Sequence, residues 1–121
     1  MFPGRLSVSR TFGDIEAKDI ELGGMEGVVI AEPEIKVFKV TKELDFILMA
    51  SDGIFDKLDN EEVREISWNG INKAIDSMTT SSLNDVCLGA VDSVMSRSLL
   101  KKTNDNISVV LIAFNNFGMD S

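Results

Sequence analysis

Two aspartates stand at the ends of apolar runs, where a carboxylate can serve as a metal ligand. Asp52 directly follows the apolar run at residues 46–51, and Asp105 lies just before the apolar run at residues 107–114. If both runs are strands that pair antiparallel, the end of the first lies beside the start of the second. Gly53 would then let the two backbones approach closely. We therefore expect Asp52 and Asp105 to come within reach of a common ion.

The residue types available limit the chemistry of such a site. The sequence contains no His, which excludes Ser-His-Asp and Cys-His triads and an imidazole general acid supplied by this chain. Carboxylate oxygens are hard ligands that suit Mg²⁺ or Mn²⁺ rather than zinc. Two carboxylates are too few for a tight site, however, and Asp-Gly and Asn-Asp-Asn are also common turn sequences. From these residues alone, a pair of ordinary turns remains the alternative to a metal site.

The strands that position these aspartates are indicated by their composition. Residues 35–40 and 46–51 are rich in apolar and β-branched residues and are separated by a short polar run, which predicts an antiparallel hairpin. The runs at 46–51 and 107–114 lack the alternation of a half-exposed strand. We therefore expect both to be covered on two faces, in a sheet that packs between other layers.

Two helices are predicted between the strands. Asp59 and Glu62 have the spacing of a capping box at the start of the first helix, and Asn69-Gly70 should break or kink it. A second capping box, at Ser82 and Asp85, begins an apolar stripe with helical spacing. Lys101-Lys102 should close this helix, because cations interact favourably with the C-terminal end of the helix dipole.

Length and composition predict one continuous globular unit. The chain has 121 residues, 44% of them hydrophobic, and a net charge of −8, which argues against a sequence-independent grip on nucleic acid. Its apolar runs are shorter than the roughly 20 residues that cross a bilayer, and no secretory signal precedes them. Cys87 is the only cysteine, is expected to be a buried and inert thiol, and permits no internal disulfide. We expect a soluble, intracellular protein, cytoplasmic or nuclear, without nucleic-acid or membrane partners.

Three separated motifs, taken together, closely resemble the type 2C metal-dependent Ser/Thr protein phosphatase family. They are GRLSVSRTFGD at residues 4–14, SDGIFD at 51–56 and DNISVV at 105–110, in the order that the family shows. The resemblance implies an α+β fold, part of an α-β-β-α sandwich in which two antiparallel sheets are flanked by helices. It covers the C-terminal portion of the catalytic domain, so residues 1–121 are expected to be that portion with the N-terminal half absent.

The resemblance also implies a binuclear Mn²⁺ or Mg²⁺ centre and a reaction. Asp52 and Asp105 match metal-ligand aspartates of the family, and Asp56 matches the aspartate associated with a weaker third metal. The implied reaction is hydrolysis of phosphoserine and phosphothreonine in proteins by a water that two metals activate. No side chain of this chain is then a catalytic nucleophile.

Four further residues are expected to be structural on the same grounds. Arg10 and Asp14 match the run that leads into a flap, here residues 15–32, beside the family's active site. Gly53 and Asn106 match positions next to the metal ligands.

Other family elements do not occur in this sequence. It contains no Asp-Gly-His element, no counterpart of the N-terminal acidic motif and no phosphate-binding arginine in that context. The chain alone is therefore expected to be inactive, to need the missing N-terminal half as a partner and to self-associate through exposed sheet surface. The alternative is a non-catalytic, pseudophosphatase-like interaction module, against which the retention of all three aspartates weighs.

Overall fold

The computed structural model describes residues 6–77 and 82–114. These residues form two compact units, one that ends at Lys39 and one that begins at Val40. The sequence predicts a single continuous unit, so this division is a departure from it. It falls inside the run at residues 35–40, which the composition assigns to a strand.

The first unit is small and mostly irregular. It contains α1 (Ile15–Lys18), a 3-10 helix at Ile20–Leu22 and an isolated parallel bridge between Arg10 and Ile30. Ala17 and Val29 are its buried apolar residues in the described range. Many of its larger apolar side chains remain exposed: Phe12, Ile15, Ile20, Leu22 and Met25.

The second unit carries the sheet and the long helices. Its elements are β1 (Phe46–Ala50), α2 (Asp52–Phe55), α3 (Asn60–Ser77), α4 (Leu83–Leu100) and β2 (Val109–Ala113). The strands pair antiparallel, with Phe46 opposite Ala113 and Ala50 opposite Val109. The condition stated for a shared ion site is therefore met, since the two apolar runs are strands that pair antiparallel. Across the described residues, four helices and this two-stranded sheet make an α+β structure.

The predicted hairpin is wrong. Residues 35–40 form no strand, and Ile35, Val37 and Phe38 are exposed. The polar run after them does turn, since the N–H of Leu44 donates to the carbonyl of Thr41 at 3.2 Å. A turn and β-forming residues do not suffice, because a strand also needs a hydrogen-bonded neighbour, and β1 pairs with β2 in the described structure.

Helices cover the sheet of the second unit on one face. Leu48, Ala50 and Val109 pack against a core cluster that includes Ile54 and Val94. On the opposite face, the exposed fractions of Met49, Val110 and Ile112 are 48%, 54% and 44%. Among the described residues of this unit, the predicted cover on the second face is therefore not present. We call the surface of Met49, Val110 and Ile112 the open face of the sheet.

Both predicted helix starts are confirmed. Asp59 Oδ1 accepts the N–H of Glu62 at 2.8 Å, just before α3. At α4, Ser82 Oγ accepts the N–H of Asp85, and Asp85 Oδ2 accepts the N–H of Ser82, both at 3.2 Å. This is a complete capping box. Lys101, the C-cap of α4, forms a 2.6 Å ion pair with Glu62 near the start of α3.

Cys87 is half-buried against a core cluster, rather than fully buried as predicted. Desolvation raises the pKa of its thiol, which favours the uncharged and less reactive form.

Within the ranges that the structure describes, the helices are too short or too polar to span a bilayer.

The predicted break at Asn69-Gly70 is wrong, because α3 continues through it to Ser77. Gly70 lies against Gly89 of α4. A Cβ atom on Gly70 would collide with the carbonyl oxygen of Gly89, and one on Gly89 would lie 2.8 Å from the carbonyl oxygen of Gly70. The two glycines therefore let the helix backbones pack closely, which a local signal for helix breaking does not reveal.

Because of this contact, replacing Gly70 by Ala should lower the free energy of unfolding, although Gly→Ala usually raises it inside a helix. Ala normally stabilises a helix interior by about 1 kcal/mol relative to Gly. Gly70→Ala should instead lower the free energy of unfolding by about 2 kcal/mol, because the new methyl group collides with rigid helix backbone. Urea denaturation measures the change.

The neighbouring exposed position provides the control for Gly70→Ala. Asn69→Ala should change the free energy of unfolding by no more than about 0.5 kcal/mol, as is usual for a surface substitution. A Gly70→Ala variant as stable as the parent chain would contradict the close helix contact.

Candidate metal site

The end of β1 is hydrogen-bonded to the start of β2 by both backbone and side chain. The N–H of Ser51 donates to the carbonyl of Ser108 at 3.0 Å. The Ser51 hydroxyl donates to the carbonyl of Asn106 at 3.2 Å and accepts the N–H of Ser108 at 3.1 Å. Ser51 therefore fixes the segment that leads into β2 relative to the one that leaves β1.

Gly53 brings the two segments into direct contact. It is buried, and a Cβ atom at this position would collide with the backbone carbonyl oxygen of Asn106. Asp52 and Asp105 each immediately precede one of these two contacting residues. The structure thus has the close backbone approach that the sequence predicts, with one candidate ligand on each side of it.

A third carboxylate belongs to the same turn as Asp52. Asp52 begins α2, and Asp56 is its C-cap, with the Asp56 N–H donating to the carbonyl of Asp52 at 2.8 Å. Residues four apart lie on the same side of a helical turn. Across the contact, Asp105 Oδ1 accepts the N–H of Asn106 at 2.8 Å, which orients that carboxylate. All three aspartates are exposed to solvent and thus accessible to an ion.

The aspartates offer the type of donor atom that a hard divalent cation prefers, but they are too few to complete its coordination shell. Carboxylate oxygens suit Mg²⁺ and Mn²⁺, which prefer oxygen ligands and about six of them. In the described ranges, no three acidic, His or Cys side chains converge to hold an ion. The three aspartates can therefore supply part of a coordination shell, and water or other oxygen ligands must complete it.

The two predicted structural residues of the N-terminal motif lie in the first unit. Arg10 donates from a guanidinium nitrogen to the carbonyl of Glu32 at 2.7 Å, which links the segment before the predicted flap to the last residue of the flap. Asp14 has a left-handed conformation, with φ of 49°, and does not cap α1 with its side chain. Its carbonyl accepts the N–H of Ala17 at 2.9 Å. These contacts order the flap region itself.

The turn that leads from α4 to Asp105 contains a feature that the sequence does not reveal. The N–H of Lys102 donates to the carbonyl of Leu99 at 2.9 Å, and the N–H of Thr103 donates to that of Ser98 at 3.3 Å. These two bonds form a Schellman motif, in which Gly is the usual residue at the left-handed position. Lys102 occupies that position, with φ of 59°. The helix therefore ends where Lys101-Lys102 predicts, but with backbone strain at Lys102.

Comparison with known proteins identifies the family. The family model described as protein phosphatase 2C matches residues 2–106. The chain belongs to the protein phosphatase 2C family. This confirms the family resemblance that the sequence predicts.

Named relatives agree with the family model. Human protein phosphatase 1B is 36% identical over 114 residues, which cover 93% of this chain and 22% of the relative. Human protein phosphatase 1A is 36% identical over 115 residues, which cover 93% of this chain and 28% of the relative. Protein phosphatase ppm-1.A of Caenorhabditis elegans is 34% identical over 113 residues, with 92% and 22% covered. The chain thus spans between 22% and 28% of the length of these phosphatases.

The strain at Lys102 predicts a stabilising substitution beside the candidate site. Lys102→Gly should raise the free energy of unfolding by about 1 kcal/mol, because Gly adopts the left-handed conformation without a Cβ clash. Lys102→Ala also removes the charged side chain but keeps the Cβ atom, so it should give no such gain. Urea denaturation of both variants compares them directly. Equal stability of the Gly and Ala variants would contradict strain at this position.

Proposed function

We propose that this chain provides metal ligands for the Mn²⁺- or Mg²⁺-dependent hydrolysis of phosphoserine and phosphothreonine in proteins. Membership of the protein phosphatase 2C family supports the reaction class. The observation that carries the proposal is the contact of Gly53 with Asn106, because it joins the segments that bear Asp52 and Asp105.

The electrostatics of the aspartates support a role as ligands. In the part of the chain that the structure describes, Asp52, Asp56 and Asp105 take part in no salt bridge. Their charges are therefore not neutralised by neighbouring cations of the described chain, and the full sequence has a net charge of −8. Exposed carboxylates without a basic partner attract divalent cations.

The individual roles follow from the match of these aspartates to the motifs of the protein phosphatase 2C family. Asp52 and Asp105 hold the two ions, and Asp56 contributes to a weaker third. The bound metal supplies a nucleophilic water at neutral pH and neutralises charge on the phosphoryl oxygens. The aspartates themselves are not nucleophiles, so the reaction requires no phosphoenzyme.

The chain is proposed to be the C-terminal portion of a catalytic domain, with residues 15–32 as its flap. Its short span relative to the full phosphatases supports this proposal. The open face of the sheet, with Met49, Val110 and Ile112 each about half exposed, is where we expect the second sheet of the sandwich to pack. In the isolated chain, the same apolar surface favours self-association.

Metal binding and turnover of the 121-residue chain test the proposal together. Calorimetric titration should detect weak Mn²⁺ binding that Asp52→Ala reduces, because the substitution removes a ligand. Asp92→Ala, at an exposed position of α4, should leave this binding unchanged. Hydrolysis of p-nitrophenyl phosphate by the isolated chain should be no faster than by its Asp52→Ala variant, because the ligand set is incomplete.

Two outcomes would contradict these expectations in different ways. Rapid Mn²⁺-dependent turnover that Asp52→Ala abolishes would show that the chain alone is a competent enzyme. Mn²⁺ binding that is absent, or is the same in the parent and Asp52→Ala, would reject the metal site and favour the interaction module.

A further inference from the structure

A buried serine of α4 contacts the turn that carries Asp52. Ser98 lies in the last turn of α4 and has an exposed fraction of 0%. Its hydroxyl donates to the carbonyl of Gly53 at 2.8 Å, across 45 positions of sequence. This hydrogen bond therefore connects the core helix to the first turn of α2.

Other serines in the long helices bond differently. Ser67 in α3 and Ser93 in α4 each donate to the carbonyl one turn earlier in their own helix, those of Val63 and Gly89, both at 2.7 Å. This back-bonding is the usual choice for a helical hydroxyl, since the acceptor is always near. Ser98 instead bonds outside its helix, so its rotamer is set by the carbonyl of Gly53.

The carbonyl of Gly53 needs this donor because α2 does not supply one. In a helix, the N–H groups three and four residues later would donate to it, which are those of Asp56 and Lys57. They donate instead to the carbonyls of Asp52 and Ile54, at 2.8 and 3.1 Å. Gly53 is buried, and a buried carbonyl without a partner is costly. The Ser98 hydroxyl satisfies it.

We infer that Ser98 is a positioning residue for the metal site, acting through the Gly53 peptide. Its hydrogen bond holds the turn in its present conformation. In that conformation Asp52 and Asp56 lie on one side of the contact between Gly53 and Asn106, and Asp105 lies on the other side. Without the hydroxyl, the buried carbonyl of Gly53 loses this donor, and the turn is no longer held to α4 at this point. The inference rests on the proposed metal-dependent function.

Mn²⁺ titration of the full 121-residue chain tests this role. Loss of a group that orients a metal ligand typically weakens metal binding by 10- to 100-fold, so Ser98→Ala should raise the Mn²⁺ dissociation constant roughly tenfold. Ser98→Cys preserves the volume of the side chain but is a weaker donor, so its dissociation constant should lie between those of the parent and Ser98→Ala.

Ser67→Ala is the matched control, because Ser67 is also 0% exposed and makes one hydrogen bond from its hydroxyl. It should lower the urea midpoint as Ser98→Ala does but change the Mn²⁺ dissociation constant by no more than about twofold, because its hydrogen bond stays within α3. An effect on Mn²⁺ as large as that of Ser98→Ala would mean that general loss of stability explains both, and would overturn the inference.

Asp52→Ala separates failure of this inference from failure of the proposed function. If Asp52→Ala weakens Mn²⁺ binding and Ser98→Ala does not, the metal site stands and the positioning role is rejected. If Asp52→Ala has no effect, both are rejected. Should Ser98→Ala not fold, Ser98→Cys decides: a dissociation constant equal to that of the parent overturns the inference, and a weakened one supports it.

Discussion

The contact between Gly53 and Asn106 is the constraint on which the candidate site depends. It requires a residue without a side chain at position 53, because a Cβ atom would collide with the Asn106 carbonyl oxygen. Antiparallel pairing of β1 and β2 brings the segments together, the Ser51 hydroxyl bonds across to Asn106, and the Ser98 hydroxyl holds Gly53 to α4. The carboxylates contribute little to this arrangement, since all three are exposed. Backbone contacts therefore hold the site together, and the exposed carboxylates remain accessible to an ion.

Local signals predict those parts of the fold that local contacts determine. The N-cap bond of Asp59 and the capping box at Ser82 form as expected, because their hydrogen bonds join residues three apart. The hairpin at residues 35–40 fails because a strand depends on which neighbour it finds, which composition does not specify. Gly70 likewise looks like a helix breaker until Gly89 is seen against it. The open face of the sheet keeps the continuous apolar pattern of a covered strand, although no described element of its own unit covers it.

More of the candidate site than of the surrounding sheet could be predicted from the sequence. Asp52 and Asp105 were identified from their places beside apolar runs, and the structure places the adjoining residues in contact. Their roles as ligands stay predictions. Ser98 gave no signal, because a serine in a helical stripe looks the same whether it bonds to its own helix or to a carbonyl 45 positions away. Lys102 was also missed as a strained position, since Gly, the residue that marks such a turn, is absent there.

If the two strand ends form one ion site, nuclear magnetic resonance of the ¹⁵N-labelled chain with traces of Mn²⁺ will detect it. A bound paramagnetic ion broadens the amide signals of nearby residues. Signals from residues 52–56 and 105–107 should broaden first and at the same Mn²⁺ concentration. Broadening of one segment without the other, or earlier broadening at acidic surface positions such as Asp76, would contradict a shared site.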